Sequence, residues 1–113
     1  MNEKIVDLCK TLDERVVKRV EAGDLNLKGR EFLAIQVTLK DIDGCFHILV
    51  KDDNVFFEPG EYPERQTEII MSSTNFIKMI NKELNSMVAL TTGKLKLKGD
   101  ITKAKALKEL FGK

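Results

Sequence analysis

Cys45 and His47 stand two residues apart in the run Gly44-Cys45-Phe46-His47-Ile48. On an extended segment they leave the same face, and a thiol beside an imidazole has the makings of a nucleophile with its general base. Same-face neighbours on one strand are about 7 Å apart at their Cα atoms, which stretches that hydrogen bond. Nothing close in sequence would orient the ring or hold an oxyanion, so the pair reads as the solvent-side or partly buried face of a strand. With His47 the sole histidine, Ser72, Ser73 and Thr74 have no partner for a Ser-His arrangement and read as helix caps. Cys9 and Cys45 are the two cysteines, without a CxxC or a histidine cluster, so neither a disulfide framework nor a metal site is implied. The expectation is a chain without catalysis and without a cofactor.

Lysines are the second group. Lys94, Lys96 and Lys98 alternate with Leu95 and Leu97, and Lys103, Lys105 and Lys108 follow on the next segment. Seven lysines face only Asp100 and Glu109 from position 94 onward, although the whole chain carries a net +1. Such a cluster suits transient contact with an anionic membrane surface, where each base near the headgroups is worth about 1 kcal/mol. It also suits a soluble edge strand that resists pairing with another sheet. Few aromatic residues lie among these bases, so stacking platforms for nucleic acid are missing and no nucleic-acid partner is expected.

The elements that must position these groups follow from hydrophobic period. From 2 to 22, Ile5, Leu8, Cys9, Leu12, Val16 and Val20 recur at helical steps, and Thr11-Leu12-Asp13-Glu14 fits a capping box that would break the segment into two short helices. Over 31–39 the period becomes two, with Leu33, Ile35, Val37 and Leu39 on one face. Asp41-Ile42-Asp43-Gly44 supplies a turn into a second strand over 45–51, and Asp52-Asp53-Asn54 turns into a short third at 55–58. Pro59-Gly60 and Pro63 then open an acidic loop that must cross to the fourth strand, 67–71. Ser72 or Ser73 caps a helix carrying Phe76, Ile77, Ile80 and Leu84, and Asn85-Ser86 starts a shorter one carrying Met87, Ala89 and Leu90. Gly93 ends it, residues 93–99 form the fifth strand, and Gly99-Asp100 caps a helix that runs to Phe111. Strand clusters alternating with helix clusters predict an α+β, two-layer domain: one mostly antiparallel five-stranded sheet with helices on one face. At 113 residues, 42% hydrophobic and 33% charged, the chain is the size and composition of a single globular domain spanning 1–113.

The segment Thr92-Gly93-Lys94-Leu95-Lys96-Leu97-Lys98-Gly99-Asp100, followed by Ala104, Leu107, Leu110 and Phe111, resembles the closing strand and helix of the sterol-carrier-protein lipid-binding domain. Ile69-Ile70-Met71-Ser72 with Phe76 is similar to that family's strand-to-helix step, in the same order and spacing. The resemblance runs from about Phe32 to Phe111 and is clearest after Thr67. It implies a tunnel between sheet and helices that holds a fatty acid, acyl-CoA, sterol or other lipid, with the terminal helix near the mouth.

Under that resemblance the apolar set becomes a candidate wall: Leu33, Ile35, Val37, Phe46, Ile48, Phe56, Ile69, Met71, Phe76, Ile80, Leu84, Met87, Leu90, Leu95, Leu97, Leu107, Leu110 and Phe111. Read without it, the same set is the ordinary core of a two-layer fold. An empty void costs about 24 cal/mol per Å³, so a few hundred Å³ would consume several kcal/mol of a stability of roughly 5 to 15 kcal/mol, and a ligand must fill it. Met71, Met79 and Met87 have the flexible side chains such a wall needs. The function expected is non-catalytic lipid binding or transfer. The alternative keeps the fold with a collapsed tunnel and binds a protein partner or a second copy of itself. No apolar run is long enough to span a bilayer, Met1-Asn2-Glu3-Lys4 does not open a signal peptide, and the final Phe111-Gly112-Lys113 differs from the Ser-Lys-Leu peroxisomal ending, so the expected location is cytoplasmic.

Overall fold

The structure is a computed structural model that describes residues 2–111. Its first helix, α1 (Glu3–Glu21), is continuous. The break expected near Thr11 does not occur: Thr11 is an interior residue of the helix, without the extended backbone an N-cap needs, and its hydroxyl donates to the Asp7 carbonyl one turn back (3.0 Å). Asn2 is the actual N-cap, accepting from the Lys4 N–H, and its amide nitrogen also donates to the Ile42 carbonyl (2.7 Å), tying the helix start to the first hairpin turn.

Five strands follow: β1 (Leu33–Leu39), β2 (Gly44–Lys51), β3 (Asn54–Pro59), β4 (Thr67–Met71) and β5 (Leu95–Gly99). Their order in the sheet is β3-β2-β1-β4-β5, antiparallel throughout except for the parallel pair β1–β4. That one parallel pair is why the 60–66 segment must cross the sheet. It crosses on the face away from the apolar core: the Tyr62 N–H donates to Gln36 Oε1 (3.0 Å), the Tyr62 ring lies 5.2 Å from His47, and Gln66 exchanges bonds with the Ala34 backbone. Gln36 and His47, neighbours in register, are buried under it.

Helices α2 (Ser73–Ile80), α3 (Ser86–Thr91) and α4 (Ile101–Leu110) are capped by Ser72, Asn85 and Asp100, each side chain accepting from a first-turn N–H. Asp41 also accepts from both the N–H and the hydroxyl of Ser73 (2.7 and 2.6 Å), which docks the α2 start on the turn after β1. Helix α1 packs against β2 and β3, α3 against β5, and α4 against β1 and β4. Their apolar sides meet the inward row Ile35, Val37, Phe46, Ile48, Ile69 and Met71 in one cluster. Two arginines of α1 hold the far ends together, Arg15 donating to the Ile80 carbonyl (2.9 Å) and Arg19 to those of Glu109 and Leu110 (both 2.8 Å), cations placed on helix C-termini. Gly99 (φ +90°) is the turn into α4; an added Cβ would sit 2.5 Å from the Gln66 carbonyl oxygen, so the β4–β5 end closes only with glycine there.

Candidate functional site

Between the β4–β5 side of the sheet and the helices α2, α3 and α4 lies a cavity of about 380 Å³. Its floor is Ile69 of β4 with Leu95 and Leu97 of β5, Ile69 and Leu97 being directly paired in register. One wall is Met79, Ile80, Leu84, Met87 and Leu90; the other is Ile101, Ala104, Leu107 and Phe111. Met87 and Ile101 are 63% and 61% exposed, so the cavity reaches solvent between α3 and the start of α4. The space is there for a geometric reason. Helix α3 is only six residues long and packs chiefly on β5, and the alternation of lysine and leucine on β5 presents just two side chains inward.

Nine of the eighteen wall candidates border this cavity: Ile69, Ile80, Leu84, Met87, Leu90, Leu95, Leu97, Leu107 and Phe111. Ile35, Val37, Phe46, Ile48, Met71 and Phe76 lie instead in the closed core, where the rings of Phe46 and Phe76 meet edge to face at 5.8 Å, and Leu33 and Leu110, buried as well, border a smaller depression on the α4 side of β1. Phe56 is on neither surface. It pairs with Leu49 on the opposite face of the sheet, 37% exposed with the Lys51 ammonium 5.6 Å from its ring, and Phe57 takes the inward place against Phe111. Two adjacent phenylalanines leave the facing of a short strand open, and the β2–β3 register decides it. Ile101, Ala104, Lys82, Asn85 and Ser86 border the cavity without having been singled out by period.

The lysines divide. Lys96 and Lys98 are exposed on the outer face of the edge strand, Lys98 opposite Glu68, and Lys94 is exposed in the bend before it. Lys103 points to Glu31 (3.8 Å) beside a separate depression of about 190 Å³. Lys105 and Lys108 border the main cavity, where Lys82 joins them.

His47 and Cys45 do not form a dyad. His47 Nδ1 lies 3.0 Å from the Gly60 carbonyl and Nε2 lies 3.3 Å from Glu58 Oε1, so both ring nitrogens are engaged away from the thiol. Burial, with Glu61 and Glu68 nearby, pushes the Cys45 thiol above its ordinary range, and burial takes Cys9 up to about 11, so neither supplies a thiolate near neutrality. Among the described residues no group of three His, Cys, Asp or Glu side chains could hold a metal, and no helix is long and apolar enough to cross a membrane.

The fold recurs in known proteins. A family model described as the SCP-2 sterol transfer family matches residues 13–112. The oleate-induced peroxisomal protein POX18 of Candida maltosa is 28% identical over 117 residues, covering all of this chain and 82% of its own length. Among solved structures, palmitated SCP2L2 from Aedes aegypti superposes with a TM-score of 0.54 at 19% identity, over 88% of this chain and 94% of that one. The sec-alkylsulfatase Pisa1 of Pseudomonas sp. superposes with a TM-score of 0.63 at 18% identity, over 72% of this chain; the match spans only 12% of the enzyme, so the fold recurs there as a small part of a larger protein.

Proposed function

The chain belongs to the SCP-2 sterol transfer family, a lipid-binding and lipid-transfer domain, and we propose that it works as a non-catalytic carrier holding a fatty acid, acyl-CoA or sterol-like ligand in the cavity over β4 and β5. The observation that carries this reading is the cavity itself: about 380 Å³, floored and walled by leucine, isoleucine, methionine and phenylalanine, and open to solvent. At roughly the volume of a water per methylene, about 30 Å³, it has room for about a dozen methylenes. Each buried methylene contributes up to about 0.8 kcal/mol, so a single acyl chain both binds and stabilises the fold by mass action. Met79 and Met87 supply walls that adapt to chains of different shape. The palmitate of the Aedes aegypti relative supports an acyl ligand of this kind.

Delivery would follow from a transient membrane contact. Met87 and Ile101 at the mouth, flanked by Lys105 and Lys108, would meet anionic headgroups, with Lys94, Lys96 and Lys98 on the sheet edge adding long-range attraction. The second reading, a surface-binding module or homodimer, draws on the exposed α3 side chains Met87 and Val88. For location the proposal is the cytoplasm; the Candida maltosa relative is named peroxisomal, and fractionation against organelle markers separates the two.

Native mass spectrometry of freshly purified protein, followed by displacement of a fluorescent fatty acid, tests the carrier. A lipid-sized adduct and saturable one-to-one displacement are expected. A bare mass, no displacement and a concentration-dependent dimer would replace the carrier with the second reading.

A further inference from the structure

Every charged side chain that borders the cavity among the described residues is a lysine: Lys105 and Lys108, one turn apart on α4, and Lys82 across from them after α2. None of the three makes an ion pair among the described residues. Lys82 is placed there at a conformational cost. It has φ +66° at the position just past α2, where its N–H bonds to the Met79 carbonyl (3.1 Å) and that of Glu83 to the Lys78 carbonyl (2.8 Å). This is the two-bond helix ending whose left-handed residue is ordinarily glycine. A lysine there gives up the cheaper backbone, and its side chain lines the cavity.

We propose that the cavity selects single-chain amphiphiles with an anionic head, namely long-chain fatty carboxylates, with Lys82, Lys105 and Lys108 meeting the carboxylate at the rim while the chain lies over Ile69, Leu95 and Leu97. The inference rests on the carrier reading and narrows its ligand from lipids in general. A neutral head of equal chain length loses the attraction of all three ammonium groups. A sterol, with a hydroxyl in place of a charge, loses it likewise.

The test compares palmitate, palmityl alcohol and methyl palmitate in displacement assays at low ionic strength, on the wild type and on Lys82→Gln/Lys105→Gln/Lys108→Gln. Exposed ion pairs add modestly, so palmitate should bind about tenfold tighter than the neutral pair. The triple variant should bring the three ligands to near parity by weakening palmitate most. Equal affinities in the wild type, or a preference that survives the triple variant, would overturn the proposal with the carrier reading intact. Failure of all three ligands to bind would overturn both. A palmitoyl-coenzyme A preference that depends on the same lysines would assign the rim to phosphate and overturn the carboxylate. Lys82→Gly separates recognition from folding: its melting temperature should hold or rise, because glycine suits the left-handed turn, while the preference for palmitate falls. A preference unchanged in Lys82→Gly would remove Lys82 from the site.

Discussion

The two ends of the sheet are covered by the same kind of layer with opposite results. Over β2 and β3 the long helix α1 lays down Ile5, Cys9, Leu12 and Val16, all buried, against Phe46, Ile48 and Val50, and the space is filled. Over β4 and β5 three shorter helices share the task, and a cavity remains between Leu97 and Leu107. Hydrophobic residues are plentiful at both ends. What differs is helix length: one continuous helix presents a full stripe, while a six-residue helix and a turn cannot close over a strand edge. A filled region carries stability and an unfilled one carries a ligand, so mutations at the two ends should separate these properties.

The largest separation is expected from Phe46→Ala in the closed half. Loss of a fully buried ring should cost about 3–5 kcal/mol in urea unfolding, with little change in fatty-acid affinity of the molecules that remain folded. Arg19→Ala comes next, since Arg19 ties the closed half to the open one through the Glu109 and Leu110 carbonyls. Its loss should cost about 1.5–3 kcal/mol and speed hydrogen exchange in α4 more than in α1. Ala104→Phe fills the cavity from α4; displacement of a fluorescent fatty acid should weaken by about tenfold or more while stability changes by less than about 1.5 kcal/mol.

The smallest effect concerns pH. The Asp41 carboxyl is held below its ordinary value of 3.8, first by the Ser73 hydroxyl and then by the Ser73 N–H. A depressed carboxylate stabilises the folded state above 3.8, and that contribution is lost as pH falls through its lower folded value. Melting temperature recorded from about pH 5 to about pH 2 should therefore fall less steeply for Asp41→Asn than for the wild type, from a slightly lower start.

The architecture was legible because local signals and period agreed: the fourth strand is Thr67–Met71 as read, and Ser72, Asn85 and Asp100 cap the helices that follow. The site was legible only in part. Period two says that Ile35 and Ile69 face the helices, but not that α1 and its neighbours seal the first while the second is left at a cavity edge; that depends on helix length and placement. Lys82 carried no periodic signal, since its position arises from a left-handed helix ending. The burial of Gln36 and His47 was hidden for a related reason: the crossing of residues 60–66 over the outer face follows from the one parallel strand pair, which pattern alone does not specify.

A ligand site over β4 and β5 is tested most directly by a methyl-resolved NMR titration of the lipid-free protein with palmitate. It predicts saturable shifts in the methyl signals of Ile69, Leu84, Leu90, Leu95, Leu97 and Leu107, with those of Leu12, Val16 and Ile48 unmoved. Shifts centred on the α1 side, or no saturable shift at the cavity methyls, would contradict it.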